Sequence, residues 1–175
     1  AYSDRQSAVH FLFDMQTQKL ELIGASRPWL DAAQMAERDF TRFTARDGTS
    51  VPVHVTKPKG KGPWPAVVLV HGGPFVRGGE WEWAPDGQFL ASRGYAVIGA
   101  GSGKEALSQI RTQAIDLVLL DVMMPEMDGF EVCRQIKADP ELRQIPVILI
   151  TALTAREDRI RGIEAGAEEF LSKPF

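Results

Sequence analysis

Apolar and polar positions follow two different rhythms along this chain of 175 residues. In the first third, apolar side chains recur at every second position. Val9, Phe11 and Phe13 precede Leu20 and Leu22, and the polar stretch 14–19 between them predicts a hairpin of two short strands. Phe40-Thr-Arg-Phe-Thr-Ala-Arg46 and Val51-Pro-Val-His-Val-Thr56 alternate around the turn dipeptide Asp47-Gly48 and predict a second antiparallel hairpin. Pro52 places the start of its second strand near an edge or an end of pairing. Between the hairpins, Ser26–Leu30 leads into a short helix expected over Asp31–Glu37 with Asp31 as its cap. The Pro/Gly/Lys segment Lys57–Pro65 reads as a loop.

From Ala66 onward the rhythm changes. Short apolar runs at 66–71, 95–100, 116–121, 146–151 and 168–172 alternate with helical stretches at about 84–93, 103–114, 129–138 and 155–165. Strict alternation of apolar strands with helices predicts a parallel sheet covered on both faces. Ser102 with Glu105, and Thr154 with Glu157, have capping-box spacing, while Asp139-Pro140 and Gly166 supply stops. The expected fold is α/β and three-layered, with a mixed, mostly parallel sheet of about seven strands. Residues 1–25 are expected to be a loosely packed hairpin and 26–175 a single α/β domain.

Composition narrows the function. At 44% hydrophobic and 25% charged, the chain is long enough for one sizeable core. Twenty basic against 23 acidic residues give a net charge of −3, and the only clustered lysines, within 57–61, are interrupted by Pro and Gly, which argues against a nucleic-acid surface. The longest apolar runs are far too short to cross a bilayer and no signal peptide opens the sequence, so a soluble, cytoplasmic protein with no membrane partner is expected. The lone Cys133 shares no metal-ligand spacing with His10, His54 or His71, and its place in the pattern Phe130, Cys133, Ile136 assigns it to a helix's inward face.

Two motif sets carry the candidate chemistry. PAVVLVHGGPFVRGG (65–79) and FLASRGYAVIGA (89–100) resemble the prolyl oligopeptidase family of serine peptidases over about residues 5–100. LVLLDVMMPEMDGFEV (117–132), PVILITALTA (146–155) and FLSKPF (170–175) resemble the receiver domain of response regulators over about residues 95–175. The two patterns meet within Arg93–Leu107, with a seam near 95–101. The first resemblance implies that residues 1–25 are the remnant of a β-propeller exit. Together they imply a flavodoxin-like/α/β-hydrolase hybrid, because hydrolase strands 3 and 4 match receiver strands 1 and 2. The expected strand order, by residues, is 40–45, 51–56, 95–100, 66–71, 116–121, 146–151, 168–172.

The peptidase resemblance lacks its chemistry. A serine hydrolase needs Ser, Asp and His in one geometry and that chain order, yet no G-x-S-x-G occurs and every histidine precedes Ser92, Ser102, Ser108 and Ser172. The turn His71, Gly72, Gly73, Pro74 therefore reads as structural, and no enzyme activity is expected.

The receiver resemblance implies a phosphoacceptor at Asp121, a phosphate-sensing hydroxyl at Thr151, an aromatic switch at Phe170 and a phosphate-pairing cation at Lys173. A carboxylate at the mouth of a parallel sheet lies where such folds take their ligands, and it attacks without first losing a proton to a base. The family holds Mg²⁺ with Asp121, the backbone carbonyl of Met123 and an acidic pair ending the first strand. Here His71-Gly72 stand in place of that pair, so Mg²⁺ binding is expected to be weakened and no cofactor to be required. Glu80, Glu82 or Asp86 are candidates to reach the site from the following loop, and His71 either pairs with Asp121 or hydrogen-bonds locally. Receivers continue into a fifth helix past the position of Phe175, so the face it would cover is expected to be covered by the amino-terminal segment or by another copy of the chain in a homodimer. The expected function is an engineered or recombined chimeric scaffold without established native activity, bearing a vestigial phosphoacceptor site. The alternatives are a working phosphorelay receiver phosphorylated on Asp121 and a residual serine hydrolase or esterase.

Overall fold

Five-residue runs dominated by Val, Leu and Ile are too short for helices and too apolar for loops, and they become the strands of one central sheet. The computed structural model describes residues 3–44, 48–72, 83–152 and 155–173. In chain order the elements are β1 (Val9–Asp14), β2 (Lys19–Ala25), β3 (Glu37–Thr44), β4 (Ser50–Lys57), β5 (Ala66–Val70), α1 (Pro85–Ser92), β6 (Ala96–Ala100), α2 (Gly103–Thr112), β7 (Leu117–Asp121), α3 (Gly129–Ala138), β8 (Val147–Thr151), α4 (Arg156–Glu164) and β9 (Glu169–Ser172). β1 and β2 pair antiparallel as a separate two-stranded sheet. The other seven strands form one sheet in the order β3-β4-β6-β5-β7-β8-β9, which is the order expected from the sequence.

Pairing is antiparallel from β3 through β4 to β6 and parallel across β6, β5, β7, β8 and β9. The link between the two modes is thin: β4 meets β6 only through Val55 opposite Ile98 and Thr56 opposite Val97. Within the parallel part, Val68 lies opposite Val118 and Val118 opposite Val147, while Val70, Leu120 and Leu149 form the next row. These six side chains are at most 1% exposed, and α2 and α3 cover them with Ala106, Leu107, Ile110, Phe130, Val132, Cys133 and Ile136. Each fully buried Leu, Val or Phe there contributes about 1.5–3 kcal/mol relative to leaving it in water. α1 lies on the other face, against β4 and β6. Burial pushes the Cys133 thiol up to about 11, and its Sγ–H donates to the Ala165 carbonyl, the environment of a packed side chain and not of a nucleophile.

The helix ends follow local chemistry. Ser102 Oγ accepts the Glu105 N–H at the start of α2, and the Glu105 carboxylate reaches back to the Gly101 N–H. Asp128 Oδ1 accepts the Glu131 N–H at the start of α3, a cap not singled out above although Asp128 and Glu131 have capping-box spacing. α4 closes on Gly166 at φ +88°, with Gly166 N–H to Ile163 O and Ala167 N–H to Gly162 O, the glycine-terminated helix end its sequence position predicts.

Two expectations fail. Residues 31–37 are not a helix: Asp31 Oδ1 caps only a turn through the Ala33 N–H, and from Glu37 the chain is taken into β3 by pairing with Lys57. One turn has too few hydrogen bonds to outweigh sheet pairing. The cap position of α4 falls on Ala155, which offers no side-chain acceptor; Thr154, the expected cap, lies outside the described residues, as does Asp47 of the expected turn.

Candidate functional site

The parallel strands β5, β6, β7, β8 and β9 all end on one rim of the sheet. Asp121 is the last residue of β7 and is buried, 6% exposed. Both carboxylate oxygens are engaged. Oδ1 accepts the Met123 N–H at 2.8 Å, and Oδ2 receives the Lys173 ammonium at 2.5 Å. Lys173 follows β9, and its own N–H donates to the Thr151 carbonyl at 2.7 Å, so the end of β8 aims the lysine that meets the end of β7. Thr151 closes β8 and is fully buried.

Phe170 sits lower on β9, beside Leu149 in the sheet, with its ring against Gly162 of α4. The rim thus brings together Asp121, Thr151 and Lys173, while Phe170 packs under α4 and makes no described contact with the carboxylate.

The backbone closes around Asp121 from two directions. A Cβ on Gly129 would lie 2.3 Å from the Asp121 carbonyl oxygen, so α3 can start directly against the end of β7 only with glycine there. A Cβ on Gly72 would lie 2.3 Å from the Asp121 carboxyl carbon and 2.5 and 2.7 Å from its two oxygens. Gly72 therefore presses its backbone against the carboxylate itself. Motif reading treats His71-Gly72 as a turn, and no residue pattern announces that contact.

His71 settles the choice left open above: its ring Nδ1 bonds to the neighbouring Gly72 carbonyl at 2.7 Å and its backbone N–H donates to Ala100 O, a local arrangement and not an ion pair with Asp121. Gly73 and Pro74 of the expected turn, and the acidic Glu80 and Glu82, lie outside the described residues. Asp86 is an exposed residue in the first turn of α1. Farther along the rim, Lys104 and Glu126 form an exposed pair at 2.7 Å, and their mutual hydrogen bond raises the lysine's pKa and lowers the glutamate's.

The described side chains around Asp121 do not make up the oxygen set of a divalent cation. Among the described residues no group of three or more His, Cys, Asp or Glu side chains converges, and around Asp121 one oxygen already holds an ammonium. Mg²⁺ asks for near-octahedral oxygen ligands. The acidic pair it would need is His71 and Gly72 here.

Comparison with known proteins bears on the same residues. Residues 87–175 match the family model described as response regulator receiver domain. The response regulator PleD of Caulobacter vibrioides (strain NA1000 / CB15N) is 54% identical over 86 residues, 49% of this chain and 19% of that protein. The alkaline phosphatase synthesis transcriptional regulatory protein PhoP of Bacillus subtilis (strain 168) is 41% identical over 86 residues, 49% of this chain and 35% of that one. The chain thus spans well under two thirds of either relative. Among solved structures, the signal receiver domain of a histidine kinase from Syntrophus aciditrophicus superposes with a TM-score of 0.53 at 34% identity, covering 63% of this chain and 80% of that one. Vibrio cholerae chemotaxis protein CheY4 superposes with a TM-score of 0.56 at 28% identity, covering 65% and 89%. The structural matches cover a larger share of the chain than these sequence matches do, so receiver-like geometry extends beyond the stretch of high identity.

These matches bear on two expectations. They support the flavodoxin-like part of the expected hybrid and do not bear on its hydrolase part. They also overturn the reading of an inert recombined scaffold with a vestigial site: 86 residues at 54% identity, ending in a rim that joins Asp121 to Lys173, form a receiver domain. No helix of the described residues is long and apolar enough to cross a membrane.

Proposed function

This chain belongs to the response regulator receiver domain family through residues 87–175, and from that premise we propose that it accepts a phosphoryl group on Asp121 from a phosphohistidine donor. The observation that carries the reading is the ion pair at the sheet rim: a buried carboxylate at the end of β7 held by an ammonium from β9. Attack by Asp121 forms a carboxyl oxygen–phosphorus bond as the donor's phosphorus–nitrogen bond breaks, the electron pair staying on the imidazole nitrogen. Lys173 then passes from the carboxylate to the phosphoryl oxygens, a charge-assisted contact that grows with the transferred charge. The shift of one ammonium by the width of a phosphoryl group pulls on the Thr151 carbonyl that holds the Lys173 backbone, and so couples the β7 rim to β8 and β9.

The test is incubation of the chain with acetyl phosphate, followed by intact-mass measurement. A one-phosphoryl adduct in the native chain and none in Asp121→Asn is the expected outcome; an adduct that survives the substitution defeats the assignment.

The likeness of residues 5–100 to prolyl oligopeptidases adds no catalytic set to this reading. We assign the chain no serine-hydrolase activity, because every histidine precedes each candidate serine and no nucleophile elbow is present. Covalent labelling by a serine-directed fluorophosphonate would contradict that assignment. The histidine kinase and output partners belong to the same proposal; gene regulation is named for PhoP and is not carried over to this chain.

A further inference from the structure

We infer that the Asp121 site works without a divalent cation, Lys173 supplying the positive charge that meets the phosphoryl group; the inference rests on the phosphoacceptor reading above. Three observations converge on it. β5, the strand beside β7, is followed directly by His71-Gly72, and the imidazole is turned into a bond with the Gly72 carbonyl. The Gly72 backbone lies so closely against the β5 side of the carboxylate that even a Cβ would overlap it, and neither described residue there, His71 nor Gly72, offers a carboxylate. Each carboxylate oxygen already accepts one bond, Oδ1 from the Met123 N–H and Oδ2 from the Lys173 ammonium. A divalent ion added to this carboxylate would face the ammonium at short range, where like charges repel strongly in a partly buried site.

The substitute is well placed. Lys173 is anchored through its backbone to Thr151 and approaches from the β9 side, opposite the face that Gly72 closes. With acetyl phosphate as donor, an Asp121 oxygen bonds to phosphorus while the phosphorus–oxygen bond to acetate breaks and its electron pair leaves with acetate. No proton or further reactant is needed. One ammonium then carries the counter-charge that a cation and a lysine would otherwise share.

The experiment runs the acetyl phosphate reaction on the whole chain with Mg²⁺ or with EDTA, and in parallel titrates the unreacted chain with Mn²⁺ by electron paramagnetic resonance. Equal adduct formation with Mg²⁺ and EDTA, and no saturable Mn²⁺ binding into the millimolar range, are the expected results. Lys173→Met lowers the adduct rate by about a hundredfold, the scale of losing one charge-stabilising donor, and Lys173→Arg recovers part of it. An adduct that forms only with Mg²⁺ overturns the inference and leaves the phosphoacceptor reading intact. Saturable Mn²⁺ binding that Asp121→Asn abolishes overturns it as well, without reference to phosphorylation. No adduct under either condition defeats the phosphoacceptor reading instead.

Discussion

The two halves of this chain use apolar residues in opposite ways. In the carboxyl-terminal half, Val118, Leu120, Val147 and Leu149 are entirely buried under α2 and α3. In the amino-terminal hairpin, Phe11, Leu12, Phe13, Leu20, Leu22 and Ile23 are all more than 40% exposed. A two-stranded ribbon has no helix layer over it, so alternation alone buries little. What ties this half down is polar instead: the Gln88 amide of α1 bonds both the N–H and the carbonyl of Ala36 and also the Asp4 carbonyl, while Asp4 Oδ2 accepts the Arg38 N–H. The receiver part, with β5 in its core, is thus held by packing, and the segment ahead of β4 by a few buried hydrogen bonds and edge pairing.

The sharpest way to break the contrast is to shorten one leucine in each half. Leu120→Ala leaves a cavity in the covered layer and is expected to cost about 3 kcal/mol, whereas Leu22→Ala removes an exposed side chain and is expected to cost less than about 0.5 kcal/mol. Urea unfolding of both variants measures the difference. Equal costs would mean that the hairpin is buried against something, and the comparison of halves would fall.

A smaller effect is expected where the halves meet. Gly72 belongs to the amino-terminal half and touches the carboxylate of the other. Gly72→Ala is expected to destabilise by about 2 kcal/mol, as overpacking does when backbone and carboxylate must part. It also pushes Asp121 off Lys173, so acetyl phosphate labelling falls along with stability. A variant as stable and as readily labelled as the native chain would show that the rim yields freely and that the two halves are not in register there.

Legibility in the sequence divides along the same line. Helices with a strong cap and an apolar face, α2 after Ser102 and α3 before Asp139, have their ends written in a few local residues, and the expected and observed bounds agree closely. The strand order follows from right-handed crossovers once the elements are known. Asp31–Glu37 carries a cap but no periodic apolar face, and the long-range pull of β4 on Glu37 leaves no local trace. At the rim, Asp121, Thr151 and Lys173 were reached through motif resemblance, because no spacing rule brings positions 52 residues apart together. The contact of Gly72 with Asp121 was not legible at all: the motif names the glycine but not the tertiary neighbour for which its missing Cβ makes room.

The least effect separates two ion pairs, one in each half. Lys57 and Asp39 pair across β3 and β4 at 2.8 Å with both side chains about half exposed, and such a pair contributes almost nothing measurable. In the receiver half, Glu168 takes the Lys137 ammonium at 2.6 Å and also the Val147 N–H at 2.7 Å, tying the end of α3 to the start of β8. Burial pushes the Glu168 carboxyl up, but the bonds from Lys137 and Val147 outweigh it and hold its pKa below the ordinary glutamate value of 4.5. A depressed folded-state value means stability that is fully present above the unfolded value and lost as pH falls through the folded one. With the carboxylate half exposed and screened, that contribution is expected to be only about 0.5 kcal/mol. Glu168→Gln should therefore lower the urea midpoint at pH 7 and merge with the native chain as pH falls through the lowered folded-state value of Glu168, while Asp39→Asn shifts nothing at either pH. A Glu168→Gln deficit that persists undiminished in acid would assign the effect to packing, and the polar tie would then join the hydrophobic layer it was set beside.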